Sequence, residues 1–547
     1  MMSERPDYVK NFAKPPRTEI KEISGHWYLY SYTVVYDEIK KRKVKKSGDS
    51  LGAITPEGLI PSKKYIPVVH KEIDASAELG ATYYFYLISQ NIKNKLKQYF
   101  ADIWETIYVM AILRLAYDGK FKRLKMNYES SIISTLFPNV YFNSGINANF
   151  LKSLGKMRDK ISEYMKSDFN EYKTFLILDG HRILSASKTL DYAEKGYDSK
   201  KRFMPQINLM YIFSESDDVG HPIFYKKYTG STPDVTAFKD LMKEVKDVAK
   251  FKDFTVIGDK GIPSEDGFEI MDEMCIKYVM PLRRGSKYVK NVLPLTLDKY
   301  TSTFSYNKRP IHCMEIYSCK DYKVFLYYDT ILFAEEDQDI VLRLEKSNNA
   351  IEEKRKFEEK LRINGKGRLS DEEYNNLKPK TYAEIYKNRQ EIGTVILRTN
   401  RLELTGEQVY CYQKKRQNIE EFFKEFDDTF DYDETYARNN NTLEAILFLN
   451  HLSSCIGVQA LENIQNAGMA KKISFKDLKH ALVKIHVNRF GDAYSVEPIK
   501  REVAKICEKI NFDPSDLKPL GLKQEAVPNS NTTSKKQPQE ASPNTSE

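Results

Sequence analysis

The chain has 547 residues, of which 41% are hydrophobic and 30% are charged, and its formal net charge is +9. This length exceeds what one ordinary core supports, so we expect several domains or large insertions. The charge permits a polyanionic partner without requiring one. No apolar run reaches the roughly 18–20 residues of a membrane helix, and the opening MMSERPDYVKNFAKPPR lacks a signal-peptide stretch, so we expect a cytoplasmic protein. Six scattered cysteines without a CxxC pair argue against a disulfide framework or a structural zinc site.

The N-terminal part of the chain predicts a hairpin followed by helices. Residues 26–36, HWYLYSYTVVY, are rich in aromatic and β-branched residues and predict a strand. The basic stretch DEIKKRKVKK that follows fits a hairpin tip whose Lys41, Arg42 and Lys43 contact phosphate, and it fits an ordinary solvated loop equally well. From about 80 to 168 the apolar spacing becomes helical.

An α/β pattern occupies residues 173–261. KTFLILDG is a short apolar run that ends in an acid and a glycine, as expected for a buried strand that emerges at a sheet edge. Two more strands surround the turn DDVGHP, and TPDVTAFKDLMKEVKDVAKF predicts a helix with Pro233 early in its first turn. DFTVIGDKG is a second buried strand with the same ending. The pattern therefore delivers Asp179 and Asp259 to one sheet edge.

Residues 275–400 interrupt this unit with strand-like pieces, a charged helix and a last strand, EIGTVILRTN, which together predict a β-rich insertion with a helical arm. A helical region is expected from about 440 to 511, and the tail from Gln524 is polar and predicts disorder. The predicted divisions are an N-terminal β-rich region with the basic hairpin, a helical region, the first part of an α/β core, the insertion, the second part of the core with C-terminal helices, and the tail. Their bounds are 1–75, 76–168, 169–274, 275–400, 401–523 and 524–547.

The stretch KKRQNIEEFFKEF, residues 414–426, sets two glutamates in a basic and aromatic context. A helix there places Ile419 and three phenylalanines on one buried stripe. Arg416, Glu420 and Lys424 then follow one another along its edge, whereas Glu421 faces solvent. One interpretation is an exposed row of ion pairs. The other is that Glu420 faces a pocket that takes a metal ion or a phosphate.

Three carboxylates are thus candidates for one site. If Asp179, Asp259 and Glu420 converge, each pair about 4 Å apart costs roughly 4 kcal/mol at an effective dielectric constant of 20. Such a cluster needs cations, and oxygen ligands alone suit Mg²⁺ or Mn²⁺ better than zinc. Arg416, Lys424 and Lys260 are candidates to neutralise a phosphate there. Taken singly, Asp179 and Asp259 could each belong to a plain turn beside glycine.

The order LDG, GSTPD, VIGDKG, GTVILRTN and RQNIEEFFK resembles the DDE transposases of bacterial insertion sequences, in the group with a Y-x2-R-x3-E-x6-K signature. The resemblance covers roughly residues 175–455. It implies an α/β fold with an RNase H-like catalytic domain, which is a mixed sheet flanked by helices, together with a β-rich insertion. It also implies that Asp179, Asp259 and Glu420 are the catalytic residues and hold two Mg²⁺ or Mn²⁺ ions, and that Arg416 is the signature arginine.

The resemblance further implies that the substrates are transposon-end DNA and target DNA, bound by a homodimer in a synaptic complex. DNA contacts are expected from Arg416, Lys424 and Lys260, from the basic hairpin and from the helices before 168. The signature is incomplete, because Gln413 stands where the tyrosine is expected, with Tyr412 one place away, and Asp427 stands in place of the distal lysine.

The resemblance, together with the three acids, leads us to expect a transposase that nicks element ends and joins the freed 3′ hydroxyl to target DNA. Two alternatives stay open at this point. One is an endonuclease of the same fold that uses only water. The other is a transposase-derived DNA-binding protein without catalysis, although retention of all three acids counts against it because a binding role tolerates repelling carboxylates poorly.

Overall fold

The computed structural model describes 14 stretches of the chain. They are residues 5–37, 41–62, 73–118, 120–169, 175–197, 203–216, 219–249, 254–259, 264–290, 292–293, 296–385, 391–417, 419 and 435–524. The chain divides into two compact units, Met1–Asp74 and Ala75–Glu547.

The smaller unit is a four-stranded antiparallel sheet in the order β1-β2-β3-β4, preceded by a short helix. Its core consists of Val9, Trp27, Leu29 and Ile54. The elements are α1 Asp7–Lys10, β1 Thr18–Ile23, β2 His26–Asp37, β3 Arg42–Thr55 and β4 Gly58–Pro61.

The larger unit begins with a strand and a group of helices, as the helical spacing of this part predicts. These elements are β5 Ala75–Glu78, α2 Gly80–Ile88, α3 Gln90–Tyr99, α4 Trp104–Ala116, α5 Leu124–Glu129, α6 Ile133–Leu136, α7 Ser144–Gly155 and α8 Arg158–Asp168. Apolar residues of this group pack into the same core as the sheet that follows.

The α/β part supplies the strands around the candidate site. Its elements are β6 Phe175–Leu184, β7 Glu194–Tyr197, β8 Phe203–Ser216, β9 Val219–Thr229, α9 Asp234–Ala249, β10 Thr255–Ile257, α10 Glu265–Glu273 and β11 Lys277–Pro281. Helix α9 starts at Asp234, and the Pro233 carbonyl accepts its first helical hydrogen bond, from the Ala237 N–H, so the proline lies at the start of the first turn as predicted.

The inserted strands continue the same sheet, which has ten strands in the order β12-β13-β14-β15-β11-β10-β6-β8-β7, with β9 paired to β8. The insertion comprises β12 Ser302–Tyr306, β13 Arg309–Ser318, β14 Lys323–Asp329, α11 Thr330–Ile363, α12 Asp371–Asn376, α13 Tyr382–Ile385 and β15 Thr394–Thr399. The long helix α11 is the predicted helical arm. Parallel pairs join β6, β10 and β11, and the remaining pairs in this sheet are antiparallel, so the sheet is mixed.

The C-terminal part is not wholly helical, which corrects the prediction for 440–511. A hairpin of β16 and β17 separates its helices and pairs with β5 and β18 in a second small sheet. The elements are α14 Gly406–Lys414, α15 Asn440–Asn466, α16 Phe475–Leu482, β16 His486–Phe490, β17 Ala493–Val496, α17 Arg501–Lys509 and β18 Lys523–Gln524. Gln524 is therefore ordered in a strand, and the rest of the predicted disordered tail lies outside the described residues.

Helix α15 is the central helix of the larger unit. Among the described helices it is the one that is long and apolar enough to cross a membrane, but most of its apolar stretch is buried inside the protein. Packing against α4, α7 and β9 accounts for that hydrophobicity. Its buried Glu444 accepts bonds from Arg158 and Tyr225 and pairs with Lys227. Burial raises the pKa of this carboxyl, but the two cations more than offset that effect, so its pKa is lowered.

Glu78 is a buried carboxyl of a different kind, since its described partners are neutral. It accepts hydrogen bonds from the Ala81 N–H, the Thr82 hydroxyl and the Tyr117 hydroxyl at 2.6–2.8 Å. Burial is the main influence and raises its pKa from 4.5 to about 7.

We predict that Glu78→Gln removes a pH dependence from the stability of the larger unit. A carboxyl with a raised folded-state pKa stabilises fully below about pH 4.5, and that contribution is lost as the pH rises through 7. The loss amounts to about 3 kcal/mol. The variant should therefore melt at the wild-type temperature at pH 4.5 and higher than wild type at pH 8. The exposed Glu163→Gln is the control, and equal pH profiles for wild type and Glu78→Gln would contradict the prediction.

Candidate active site

Two aspartates lie side by side because their strands are parallel neighbours in register. Ile177 of β6 pairs with Ile257 of β10, and Asp179 and Asp259 each follow two residues later. Neighbouring strands are about 4.8 Å apart, so both carboxylates arrive at the same place on the sheet. Both strands are fully buried just before this point, which fixes which residues can emerge there.

Strand β6 does not end at Asp179, in contrast to the prediction from KTFLILDG. It continues to Leu184, paired along its whole length with the antiparallel strand β8. What ends here is its other neighbour, β10, whose last paired residue is Ile257. The opening beside Asp179 therefore results from a short partner strand, and a pattern within β6 alone carries no information about that.

Arg416 joins the two aspartates. Its Nη2 lies 3.0 Å from Asp179 Oδ1 and its Nη1 lies 3.8 Å from Asp259 Oδ1. The Asp179 side chain is 13% exposed and that of Asp259 is 44% exposed. One guanidinium thus reduces the repulsion between two neighbouring carboxylates while one of them stays open to solvent.

The segment that carries Arg416 is a turn between helical residues, which corrects the uninterrupted helix predicted over 414–426. The N–H groups of Lys415 and Arg416 donate to carbonyls three residues back, and both residues form a turn after α14 ends at Lys414. Gln417 and Ile419 are helical again. Ile419 is fully buried, as its stripe predicts. Because the winding changes at Lys415 and Arg416, a uniform helical wheel does not apply across these two residues.

Two departures from the family signature have distinct positions here. Gln413, which stands where the signature has tyrosine, donates from Nε2 to the Gly258 carbonyl at 3.1 Å, next to Asp259. Tyr412 packs edge-on against Phe175 with its ring centroid 4.6 Å away. Gln413 therefore faces the aspartate pair, whereas Tyr412 supports the start of β6.

A further acid, Asp234, was not proposed from the sequence and adjoins Gly180, on the face of β6 opposite to Asp179. Its Oδ1 accepts from Arg182 at 2.6 Å and from Asn208 at 3.1 Å. A Cβ added at Gly180 would come within 3.5 Å of the same oxygen. The GSTPD motif contains this residue, but only the fold shows that it adjoins the residue after Asp179.

Several predicted site residues lie outside the described residues, namely Glu420, Lys424 and Lys260. Among the residues that are described, no group of three or more His, Cys, Asp or Glu side chains is arranged to hold a metal ion. Two carboxylates beside a guanidinium are an oxygen-only donor set, which fits Mg²⁺ or Mn²⁺ better than a softer metal. In the smaller unit, Lys41 is exposed in the turn before β3, and Arg42 and Lys43 are exposed at the start of β3.

A basic cavity of about 720 Å³ opens beside Ile183 on the same strand as Asp179. Residues four apart on a strand share a face and are about 13 Å apart. The cavity is also lined by the first turns of α15 and by four cationic residues, Arg114, Lys120, Lys122 and Arg438. Lys120, Lys122 and Arg438 are exposed and give this cavity positive charge, whereas Arg114 is buried and donates to Asn450.

A mixed sheet flanked by helices, with an aspartate pair where β10 ends beside β6, defines the class of RNase H-like nucleic-acid enzymes. The transposase DDE domain family model matches residues 172–456, just over half of the chain. The chain therefore belongs to this family of insertion-sequence transposases, and the predicted family and α/β fold class are confirmed. No curated protein shows a significant match to the sequence. DNA is the substrate that the family implies, and its members generally use divalent metal ions.

We predict that Arg416→Gln lowers the melting temperature in the absence of metal and increases the stabilisation that Mn²⁺ produces. Without metal the variant should melt a few degrees lower, because a charge-assisted bond of roughly 1.5–3 kcal/mol is lost and two carboxylates are left to repel. Added Mn²⁺ should then raise its melting temperature by more than it raises that of wild type, because a competing cation is gone.

Lys415→Gln is the matched control, since it removes one positive charge from the adjacent residue, whose Nζ lies over the Phe175 ring. Thermal unfolding is followed in EDTA and across a MnCl₂ series. A smaller Mn²⁺ response in Arg416→Gln than in Lys415→Gln would contradict the prediction.

Proposed function

We propose that the protein cleaves DNA at the ends of an insertion sequence and joins the freed 3′ hydroxyl to target DNA. Water is the nucleophile of the first step, and the DNA hydroxyl is the nucleophile of the second. The observation that best supports this proposal is the pair of aspartates from two parallel strands that share one arginine, in a chain of the DDE transposase family.

Asp179, Asp259 and Glu420 are proposed to hold two Mg²⁺ or Mn²⁺ ions, which when bound activate the attacking hydroxyl and stabilise the leaving oxygen. The rigidity of the site favours this role. Asp179 lies on β6, which pairs with β8 along its whole length. The Gly258 carbonyl, next to Asp259, accepts a hydrogen bond from Gln413. Ligands held on a packed sheet lose little freedom when a metal or substrate arrives.

Arg416 is proposed to position the scissile phosphate. A guanidinium presents planar paired donors that match phosphate as well as carboxylate. Because its two aspartate contacts differ in length, 3.0 Å and 3.8 Å, the longer contact to the more exposed Asp259 is the easier one to exchange for a phosphate oxygen. Lys424 and Lys260 are proposed to contact the DNA backbone near the same place.

Further DNA contacts are proposed along the basic cavity beside Ile183 and at Lys41, Arg42 and Lys43. Three exposed cationic residues, Lys120, Lys122 and Arg438, line that cavity, which also includes Ile183, four residues from Asp179 on β6. We also propose that two copies act together in a synaptic complex, because cutting and joining two element ends requires two active sites.

We predict that Asp179→Asn and Glu420→Gln each lower metal-dependent nicking of supercoiled plasmid by at least roughly a hundredfold. Joining of a pre-cut duplex, made from the DNA that flanks the gene, should fall equally. Binding to the same duplex in a gel-shift assay should change less than about threefold, because affinity rests on phosphate contacts.

The controls are Asp266→Asn, an exposed acid of α10, and Glu421→Gln, the neighbour of Glu420. Nicking without joining by the wild-type protein would favour the endonuclease that uses only water. Binding without nicking would favour the non-catalytic DNA-binding protein. Equal loss in Glu420→Gln and Glu421→Gln would remove the assignment of the third acid.

A further inference from the structure

The smaller unit has a two-stranded ribbon that extends beyond its sheet. Strand β1 pairs with β2 only up to Ser31, and β4 pairs with β3 only from Gly52 onward. Residues 32–37 and 42–47 are paired with each other. In the described part of the chain no third strand flanks them, although the Tyr32 N–H at the base donates to the Arg17 carbonyl. Irregular register at Tyr30 marks the base of this ribbon, where bulges increase the local twist.

The ribbon is exposed on both faces. The side chains of Val34, Val35 and Tyr36 are 54%, 43% and 62% exposed. A bare two-stranded ribbon is only marginally stable by itself, and its open edges are a liability that proteins usually cover. An exposed ribbon with large apolar side chains therefore indicates a binding surface.

The two faces of the ribbon carry different side chains, as the pairing of β2 with β3 shows. Directly opposite residues share a face, and the pairs on one face are Tyr32 with Ser47, Val34 with Lys45, and Tyr36 with Lys43. We call these six residues the tyrosine face. The opposite face contains the pairs Thr33 with Lys46 and Val35 with Val44. The tyrosine face thus combines two lysines with two aromatic rings, and at the base of the ribbon its Ser47 hydroxyl donates to a carboxylate of β1, Glu19.

The Lys45 side chain of the tyrosine face is held in place by a cation–π contact. The Lys45 Nζ lies 4.6 Å from the centroid of the Tyr32 ring, which holds the ammonium close to the ribbon surface. Lys43, Lys45 and Tyr36 are exposed. The lysines of this narrow strip are complementary to the phosphates of a polyanion. Its aromatic rings are complementary to partly apolar groups that lie between those phosphates.

We propose that the tyrosine face lies in the major groove of duplex DNA. This inference rests on the proposed function, because DNA is the partner it names. The groove is about 12 Å wide and admits a two-stranded ribbon. Six residues at about 3.3 Å each give a ribbon about 20 Å long, which spans about half a turn of the duplex. Lys43 and Lys45 then reach phosphates or guanine edges, and Val34 and Tyr36 contact thymine methyl groups.

The test compares two adjacent lysines that point to opposite faces. Lys45→Gln and Lys46→Gln each remove one exposed charge from the same strand. Binding of a short fluorescein-labelled duplex of mixed sequence is measured by anisotropy over a range of salt concentrations. Lys45→Gln should weaken binding roughly five- to tenfold and reduce the salt slope by about 0.9, as expected for one phosphate contact. Lys46→Gln should stay within twofold of wild type, and Lys45→Arg should restore binding.

Equal losses in Lys45→Gln and Lys46→Gln would overturn docking by one face, and no loss in either would overturn the ribbon as a DNA contact. Competition identifies the groove. Methyl green, which occupies the major groove, should displace the wild-type protein, whereas displacement by distamycin alone would overturn the proposal. Equal binding of wild type to phosphatidylserine vesicles, lost in the same variant, would assign the face to a membrane instead.

Plasmid nicking by the same preparations separates this inference from the proposed function. If the wild type nicks and Asp179→Asn does not, the proposed function stands whatever the ribbon variants do. If the wild type binds duplex through the tyrosine face but never nicks, the ribbon proposal stands and the catalytic one fails.

Discussion

The contact of one guanidinium with two aspartates is the interaction on which the rest of the candidate site depends. Arg416 connects β6, the end of β10 and the turn after α14, which are widely separated in sequence. Two neighbouring carboxylates at this spacing repel by several kcal/mol unless a cation lies between them. The arginine therefore allows both acids to occupy one sheet position before any ligand arrives, and it also ties the third segment of the site to the first two.

The geometry beneath that contact comes from the backbone. Parallel pairing of Ile177 with Ile257 fixes the relative height of the two aspartates, and the early end of β10 leaves room beside Asp179. Gln413 then anchors the last turn of α14 to the Gly258 carbonyl, so that the following turn carries Arg416 over the pair. Buried apolar residues hold each of these elements in place. The polar contacts then orient the site side chains within the space that this packing leaves.

Much of this arrangement could be predicted from the sequence, and the limits have physical causes. The buried runs around Asp179 and Asp259 have a clear pattern, so their convergence on one edge is a reasonable expectation. Local periodicity does not reveal which strand a given strand pairs with, so the continuation of the insertion as part of the same sheet was missed. The hairpin within the C-terminal helices was missed for the same reason. The turn at Lys415 is also invisible to a helical wheel, because the wheel assumes one winding throughout.

Asp234 shows a further limit, since its proximity to Gly180 exists only in the folded chain. The solvent exposure of a carboxylate helps to decide whether it binds a ligand or belongs to a structural ion pair, and exposure cannot be obtained from the sequence. Glu444 is 1% exposed and has two cationic partners, which is the environment of an ion pair that holds elements together. Asp259 is 44% exposed and shares its cation with a neighbouring acid. A metal ion or a phosphate must reach its ligands from solvent, so access separates the two carboxylates more clearly than charge does. By that criterion the end of β10, and not the buried network around α15, is where an incoming substrate would meet the protein.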